Sequence, residues 1–385
     1  MNDPHALSLT GGGPLWRMAR RPKKTQVKSL ALGRVVFCAA LAWLPQAGLA
    51  LLAGHLGDHA TQRLWATTYA NHARLLLSIP MLLVVDAFVE ARVRGAWRRF
   101  HDEFTAVANR PRLVALRDGV ERLERSGAVE WLMVILAYGL VWFRFEHAPM
   151  SSSPWSGGSS GGHPGHLTLP GLWAAGVSFP MFYFLGMRWL WRYGLWVAFL
   201  VGVAGMPLRL VPAHADRAGG LGFVNEAQGS FALLPLAASV VIAGTWGDAI
   251  LRHQASAMSY KEPVALLLFA TLVVFVAPLA VFTPALRRFK LESFSRFDAF
   301  AGDLARAFDQ KWLRDGPREA PLTPDVGALA DVASAFEVTH GVGVAPIRAK
   351  LVRAYVIATL LPMLFPLLTR VPLFDLAQKL VEALA

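Results

Sequence analysis

Residues 208–231, LRLVPAHADRAGGLGFVNEAQGSF, form a polar, glycine-rich stretch between two long apolar segments of this 385-residue chain. Its middle holds an imidazole, a carboxylate, a guanidinium and a cluster of glycines. Glycines and short polar side chains in such a run favour specific turns. We therefore expect an ordered loop here, with the flanking apolar helices arranged around it.

The composition of the rest of the chain indicates a membrane protein. Hydrophobic residues make up 55% of the sequence and charged residues 17%, whereas a soluble domain averages about 25% charged residues. Several apolar runs approach the roughly 20 residues that a helix needs to cross about 30 Å of hydrocarbon. A β-barrel would instead show alternating segments of about 10 residues. The predicted class is therefore all-α, a polytopic membrane helical bundle.

The formal net charge of +12 does not indicate a nucleic-acid partner. The arginines gather in a few loops between apolar runs, as the positive-inside rule predicts for cytoplasmic loops. No nucleic-acid binding is predicted on that ground. Cys38, the single cysteine, lies in an apolar run, which excludes an intrachain disulfide and a cysteine-based metal site.

The hydropathy pattern predicts about seven transmembrane helices, with the N-terminus in the cytoplasm and the C-terminus on the other side. The predicted spans are residues 30–54, 73–89, 128–143, 171–187, 229–250, 263–286 and 351–368. A basic tail, residues 1–29, precedes them, and an amphipathic tail, residues 369–385, follows them and would lie on the membrane surface. No internal repeat is evident in this pattern.

Four connecting segments are predicted from charge and length. Residues 92–127 carry nine arginines and no lysine, which indicates two cytoplasmic helices separated near Pro111. Residues 287–350 form a second basic cytoplasmic segment, whose aromatic stripe is typical of a packing face. Residues 144–170 contain a Gly/Ser-rich outer linker. Residues 194–206 are apolar but short, which favours an interfacial or re-entrant helix.

The loop, residues 208–228, suggests a binding or gating role. Gly219, Gly220 and Gly222 allow positive φ angles, so that successive backbone N–H groups can form an anion-binding nest. Arg217 would add a guanidinium for a phosphate or carboxylate, while His214, Asp216 and Glu226 lie close by in sequence. The alternative is a structural clasp, in which Asp216 and Arg217 fasten the loop under the bundle. Catalysis is the weakest of the three hypotheses, since no nucleophile with its own base is visible.

The segment LVPAHADRAGGLGF, residues 210–223, resembles a loop of uncharacterised bacterial multipass inner-membrane proteins. In that group a His-Pro-Asp-Arg-Ala-Gly-Gly-Leu-Gly motif follows a helix rich in tryptophan and arginine. The match covers His214 and residues 216–222, and more loosely residues 188–223, with Ala215 in place of the proline. The resemblance implies a bacterial inner membrane but no activity. In such a membrane the C-terminus, which the count of spans places on the outer side, would be periplasmic.

Asp86 and Glu90 lie one helical turn apart near the inner end of the second predicted span. A charge within a span costs about 2.5–3.5 kcal/mol at the bilayer centre, so that it usually faces protein or water. These two acids therefore suggest a path for a cation or a proton, with Arg92 or Arg34 as the neutralising group for Asp86. The alternative is a buried pair that fixes helix packing.

The leading functional hypothesis is transport or conduction of a small ion or solute. Asp86 and Glu90 would line the path, and the 214–226 segment would gate it or bind the solute. A second hypothesis is a membrane scaffold or sensor that binds a protein or anionic lipid through its cytoplasmic arginines. A third is a membrane enzyme acting on a phosphorylated or lipid-linked substrate. The predicted partners are the lipid bilayer, anionic lipid at the cytoplasmic arginines and further copies of the chain, and neither a cofactor nor a metal is predicted.

Overall fold

The computed structural model describes residues 27–147, 154–156, 167–212, 214–252, 257–310 and 343–368, together with residues 7 and 9 and scattered positions between 327 and 341. Most of the basic tail, most of the Gly/Ser-rich linker, much of the 287–350 segment and the amphipathic tail lie outside the described residues.

The chain folds into α-helices joined by short π-helical and 3₁₀ segments. The helices in the first half of the chain are α1 (Val27–His55), α2 (His59–Ala66), α3 (Tyr69–His72), α4 (Ile79–Arg99), α5 (Arg110–Glu124), α6 (Gly127–His147), α7 (Leu169–Trp173) and α8 (Phe179–Ala204). Those in the second half are α9 (Gly222–Gly229), α10 (Leu233–Leu251), α11 (Lys261–Phe275), α12 (Thr283–Phe308), α13 (Ala349–Leu360) and α14 (Leu364–Leu368).

Six helical stretches of the described residues are long and apolar enough to cross a membrane. They are Leu32–His55, Gly127–Glu146, Leu169–Ala204, Gly222–Leu251, Lys261–Phe308 and Ala349–Pro366. The β-structure of the described residues consists of one isolated bridge between Thr105 and Leu208. The predicted all-α membrane class is therefore confirmed for the described part of the chain.

Helix α4 lies at the centre of the bundle. Val85, Val89 and Val93, on one face of α4, are fully buried, and the helix packs against α1, α8, α9 and α10. Together with the segment before it, α4 corresponds to the predicted span 73–89, yet it is absent from the six apolar stretches above. Arg74 and Asp86 fall within this span, and Glu90 follows it directly.

Residues 169–204 form one nearly continuous helical rod. The predicted span 171–187 and the predicted short segment 194–206 are consecutive parts of this rod, which ends at Ala204. The buried faces of Trp196, Phe199 and Val203 pack into the main hydrophobic core. Packing of these side chains therefore continues the helix through residues 194–204, which the hydropathy pattern had assigned to a separate short element.

A local repeat relates the beginnings of α4 and α8. In each case a threonine, Thr68 or Thr168, is the N-cap of a short helix, and a π-helical segment follows, Ala73–Ser78 or Ala174–Ser178. Each segment leads into Ser-x-Pro-Met, residues 78–81 and 178–181, and then into the long helix. Hydropathy did not reveal this repeat because the shared features are a few residues at equal spacing, not a similar apolar profile.

Gln46 of α1 connects the two copies of this repeat. Its buried side-chain amide donates to Ser178 Oγ at 2.8 Å and accepts a hydrogen bond from Asn71 Nδ2 at 3.0 Å. Ser178 in turn donates to the carbonyl oxygen of Ala42 at 2.7 Å. The two π-helical joints are thus tied to α1, and through it to each other.

The C-terminal end of α10 contacts the first copy of the repeat. Asp248 accepts hydrogen bonds from the backbone N–H groups of Tyr69 and Ala70, at 2.8 and 3.0 Å, and so caps α3 from another helix. A Cβ built on Gly244 would lie 3.0 Å from Ala70 Cα. The small residue is therefore needed for this close helix approach, as is usual in membrane bundles.

In α12, the aromatic face after residue 287 that was predicted to pack is exposed. Phe300 is 56% exposed and Leu291 is 65% exposed, although Leu286, at the beginning of the helix, is fully buried. Beyond its first turns α12 therefore extends away from the packed core.

Candidate functional site

The loop 205–221 lies at one end of the bundle. It forms backbone hydrogen bonds there with two segments that are distant from it in sequence. Arg209 N donates to the carbonyl oxygen of Phe104 at 2.9 Å, beside the bridge between Thr105 and Leu208. Gly343 N donates to the carbonyl oxygen of Arg217 at 2.9 Å. We call this end of the bundle the loop end. The loop is thereby fastened both to the end of the α4 segment and to the approach to α13.

Asp216 organises the loop from inside. Its Oδ1 accepts hydrogen bonds from the backbone N–H groups of Ala218 and Gly220, at 2.9 and 3.0 Å, and its Oδ2 accepts one from Gly222 at 2.7 Å. The predicted anion-binding nest therefore forms, and the anion in it is the chain's own carboxylate. This geometry is that of the predicted clasp, in which Asp216 fastens the loop backbone.

The ionisation of Asp216 reflects this environment. Burial alone raises the pKa of the carboxyl group, but the three backbone N–H groups and the nearby His214 outweigh it and hold the pKa below its usual value. A carboxylate that accepts several backbone hydrogen bonds is stabilised in its charged form. Asp216 is therefore an anion throughout the physiological range.

The backbone of the loop adopts positive φ angles at three residues of the nest. Arg217, Gly219 and Gly220 have φ values of 52°, 63° and 93°. A Cβ on Gly220 would lie 2.6 Å from Cζ of Phe104, so a side chain there is excluded by contact as well as by conformation. Arg217 adopts a conformation that is uncommon for a residue with a side chain.

The polar side chains of the loop point in different directions. His214 Nδ1 lies 2.9 Å from Asp216 Oδ1, and the imidazole is 44% exposed. Arg217 is exposed and forms no ion pair with the described residues. The structure thus brings His214, Asp216 and the three glycines together, whereas the Arg217 guanidinium stays outside the nest.

Glu226 lies apart from the nest, on α9. Its carboxylate accepts a hydrogen bond from Arg92 Nη1 at 2.7 Å, and both side chains are more than half exposed. Exposed ion pairs of this kind contribute about 0–1 kcal/mol. Glu226 therefore belongs to an open cleft between α4, α9 and α13.

Two buried amides on α9 connect the loop end to the rest of the bundle. Asn225 donates to the carbonyl oxygen of Pro346 at 2.6 Å and accepts from Arg348 N at 3.0 Å, and so holds the start of α13. Gln228 accepts from Trp196 Nε1 at 2.9 Å and donates to Tyr193 Oη at 2.9 Å and to the carbonyl oxygen of Phe275. The sequence showed both side chains within the loop stretch but gave no sign of their partners.

A buried charge cluster lies farther into the bundle, on α4, α5, α6 and α8. Arg192 donates to Asp86 Oδ1 at 2.5 Å and to Glu124 Oε1 at 3.5 Å. Arg188, one turn earlier on α8, donates to Glu130 Oε1 at 3.1 Å. The side chains of Arg188, Arg192, Glu124 and Glu130 are at most 7% exposed, and that of Asp86 is 17% exposed. We call these five residues the charge cluster.

The charge cluster corrects the predicted partners of Asp86. Arg192 neutralises Asp86, in place of the predicted Arg92 or Arg34, and Arg92 pairs with Glu226 instead. Glu90 forms an ion pair with Arg94 on the same helix. Asp86 and Glu90 are therefore neighbours along α4 but belong to different charge pairs.

A small cavity borders the charge cluster. It has a volume of about 20 Å³ and is lined by Glu124, Glu130, Arg188 and Arg192 among others. One water molecule needs roughly 10–15 Å³ of such volume and two to four polar partners. A cleft of about 400 Å³ at the loop end is lined by Glu226 and a different set of residues, so these two cavities share no lining residue.

The described residues contain no group of three or more His, Cys, Asp or Glu side chains that could hold a metal ion. No protein-family model, no curated protein and no solved structure matches the chain. The fold and its apolar helices define an integral membrane protein of the all-α class. Any more specific function has to be argued from the charge cluster and the loop end.

Proposed function

We propose that the protein conducts or transports a small ion across the membrane, and that the charge cluster lies on its path. The observation that carries the proposal is the burial of three carboxylates and two guanidinium groups on four helices, of which α6 and α8 belong to stretches long and apolar enough to cross a membrane. Ionisable residues inside membrane bundles usually mark ion pathways or proton relays.

The energetic cost of the cluster supports a functional role. A charge at the bilayer centre costs about 2.5–3.5 kcal/mol, which is a large share of the folding free energy of a typical protein, about 5–15 kcal/mol. Mutual neutralisation reduces this cost, but well-packed apolar residues of similar volume are often at least as stable as a buried ion pair. Stability alone therefore does not explain the cluster.

The size of the adjoining cavity favours a proton as the ion. The volume of about 20 Å³ suits one water molecule and leaves no space for a hydrated alkali cation. Carboxylates beside a single water can exchange protons, since each carboxyl group can donate as well as accept when it is protonated. We propose that the proton is exchanged by Glu124 and Glu130, which line the cavity, and by Asp86, which shares Arg192 with Glu124.

The joints at the beginnings of α4 and α8 supply the flexibility that transport needs. π-Helical segments within α-helices occur often at functional sites, and each of these two is followed by a proline within the first turn of the next helix. Asp86 lies on α4 and Arg192 on α8. A small bend at either joint would change the distance between the two charged groups.

We further propose a bacterial inner membrane as the location, with the loop end in the cytoplasm and α4 as a seventh crossing. The arginine-rich segments before and within α5 support a cytoplasmic position of the loop end. The likeness of the loop to those of bacterial multipass proteins supports the inner membrane. In this arrangement the Asp216 nest closes the cytoplasmic end of the bundle as a clasp.

Proton flux into liposomes tests the proposal. Liposomes containing the purified full-length protein are given an inside-negative potassium diffusion potential with valinomycin, and a pH-sensitive dye reports internal acidification. We expect flux above that of empty liposomes, and a reduction of about tenfold or more for Asp86→Asn and for Glu124→Gln. Both variants keep the shape of the side chain and remove the exchangeable charge.

Asp303→Asn is the matched control, because this carboxylate is 75% exposed in a pair with Arg306 on α12. Its flux should equal that of the unmodified protein. Monodisperse elution in detergent establishes that each variant is folded. The absence of flux in the unmodified protein, or equal flux in the two cluster variants and the control, would contradict the proposal.

A further inference from the structure

The cleft at the loop end has a composition that the ion path does not require. It has a volume of about 400 Å³ and lies between α4, α9 and α13. Three basic side chains, Arg92, Arg348 and Lys350, line it against one carboxylate, Glu226. The cleft is therefore positively charged even with the pair between Arg92 and Glu226 in place.

Polar and apolar groups occupy separate layers of this cleft. On α4, the apolar Phe88 lies one turn closer to the bundle centre than Arg92. On α13, Leu351 and Ala354 lie closer to the centre than Lys350. The helices α4 and α13 run in opposite directions at this end of the bundle. The order of charged and apolar residues along the sequence is therefore reversed between them, and the shared layering is a property of the cleft.

The third wall of the cleft, formed by α9, shows the same separation of polar and uncharged layers. Asn225 and Glu226 lie at the polar level, and Gly229 and Ser230 follow them one turn deeper, where α9 ends and the 3₁₀ segment begins. Gly229 has no side chain to fill the lower part of the cleft. The cleft therefore has a basic mouth and an uncharged, mostly apolar floor that points toward the level of the hydrocarbon.

The basic mouth is held in a fixed position by the loop end. Asn225 binds both the carbonyl oxygen of Pro346 and the backbone N–H of Arg348. A Cβ built on Gly222 would lie 2.4 Å from Arg348 Nη2, so the guanidinium packs directly against the backbone beside the Asp216 nest. The main-chain position of Arg348 and the path of its side chain are thus both fixed by contacts.

We propose that this cleft binds the phosphate headgroup of an anionic phospholipid, with an acyl chain on its apolar floor. Guanidinium and ammonium groups are the usual protein partners of phosphate. A free phosphate ion would use the mouth alone and leave the floor exposed, so the layering favours a lipid as the source of the phosphate. This site is independent of ion movement through the charge cluster.

Binding of defined lipids to the purified full-length protein in detergent tests the proposal. The probes are phosphatidylglycerol, phosphatidylcholine with the same acyl chains, and inorganic phosphate, and native mass spectrometry measures the bound fraction at increasing probe concentration. We expect saturable binding of phosphatidylglycerol, weaker binding of phosphatidylcholine, and no equivalent binding of inorganic phosphate.

Two variants separate the layers of the cleft. The double variant Arg348→Gln, Lys350→Gln should weaken phosphatidylglycerol binding about thirtyfold, since each basic residue near an anionic headgroup contributes about fivefold. Ala354→Phe fills the floor without changing the charge and should also weaken binding. Arg353→Gln, which removes one positive charge from α13 outside the cleft lining, should leave binding within about twofold.

Thermal unfolding in lipid-free detergent establishes that these variants are folded. Unchanged phosphatidylglycerol binding in both the double variant and Ala354→Phe would overturn the proposal. So would an equally large loss for Arg353→Gln, which would indicate a general effect of charge. Binding of inorganic phosphate as tight as that of phosphatidylglycerol would overturn the assignment to a lipid.

Discussion

Replacement of Asp216 should destabilise the protein more than any exposed carboxylate does. In Asp216→Ala, the backbone N–H groups of Ala218, Gly220 and Gly222 lose their acceptor. These three residues are buried, so their donors reach water only if the loop opens. The change therefore forces a choice between unsatisfied donors and local unfolding of the segment that closes this end of the bundle.

The magnitude follows from the three bonds. A hydrogen bond to a charged group contributes about 1.5–3 kcal/mol, and a buried donor without a partner costs about 1–3 kcal/mol. Partial opening of the loop recovers some hydration, so we expect a loss of about 3–5 kcal/mol for Asp216→Ala. Asp216→Asn keeps one carbonyl oxygen for Ala218 and Gly220 but presents an amide N–H₂ to the Gly222 N–H. We expect a loss of about 2 kcal/mol for that variant.

Equilibrium unfolding in mixed micelles of dodecylmaltoside and SDS, followed by tryptophan fluorescence, measures these changes. The low pKa of Asp216 adds a test by pH. A carboxyl group whose pKa is lower in the folded state contributes stability above its unfolded pKa, about 3.9, and that contribution is lost as the pH falls through the folded value. The difference between the unmodified protein and Asp216→Ala should therefore shrink below about pH 4.

Asp303→Asn, at an exposed position on α12, is the control and should change stability by less than about 0.5 kcal/mol. An Asp216→Ala variant as stable as this control would refute the role of the carboxylate as the anion of the nest. Equal losses for alanine and asparagine at position 216 would show that the charge alone matters, and not the three directed hydrogen bonds.

Two further changes test other contacts by the same unfolding measurement. Gly220→Ala should lower the free energy of unfolding by about 2–4 kcal/mol through conformational strain and overpacking, since φ is 93° and the new Cβ would lie 2.6 Å from Phe104. Gly57→Ala, with φ of 95° and no atom within 4 Å of the new Cβ, introduces the strain alone and should lower it less. Gln228→Leu should cost about 2–3 kcal/mol, because it leaves the buried indole N–H of Trp196 without its acceptor. A cost at Gly220 no larger than that at Gly57, or a neutral Gln228→Leu, would contradict these interpretations.

The helical class could be predicted from composition because long apolar runs leave few alternatives in a bilayer. The full length of α8 could not be predicted in this way. Hydropathy divided residues 171–206 into a span and a short segment, while the structure has a rod that ends at Ala204. Its continuation depends on packing of Trp196 and Phe199 against other helices, and hydropathy along one helix contains no information about such neighbours.

The nest was predictable as a shape, and the clasp hypothesis already included the Asp216 carboxylate that occupies it. The glycine spacing indicated the positive φ angles that Gly219 and Gly220 adopt. The hydrogen bond from Ala218 N to Asp216 Oδ1 is a local pattern that aspartate often forms two residues ahead. That local pattern was the available signal that the carboxylate itself, rather than a ligand, would fill the nest.

The charge cluster could not be predicted, because its members are far apart in sequence. Arg188 and Arg192 are flanked by Trp189 and Trp191, a composition that is typical of a membrane interface. Their spacing of four residues, which places both on one helix face, was the one local sign of a shared role. Their acidic partners lie between 58 and 106 residues away, and only the tertiary fold shows which acids they meet.

The geometry of Arg192 connects the charge cluster to the two π-helical joints. Its guanidinium lies between two acids, with Asp86 on α4 at 2.5 Å and Glu124 at the end of α5 at 3.5 Å. A proton on Asp86 would remove the closer negative charge, and attraction would then shift Arg192 toward Glu124. Since Gln46 ties the joints of α4 and α8 to α1 at the other end of these helices, such a shift would bend the helices at the joints instead of displacing them whole.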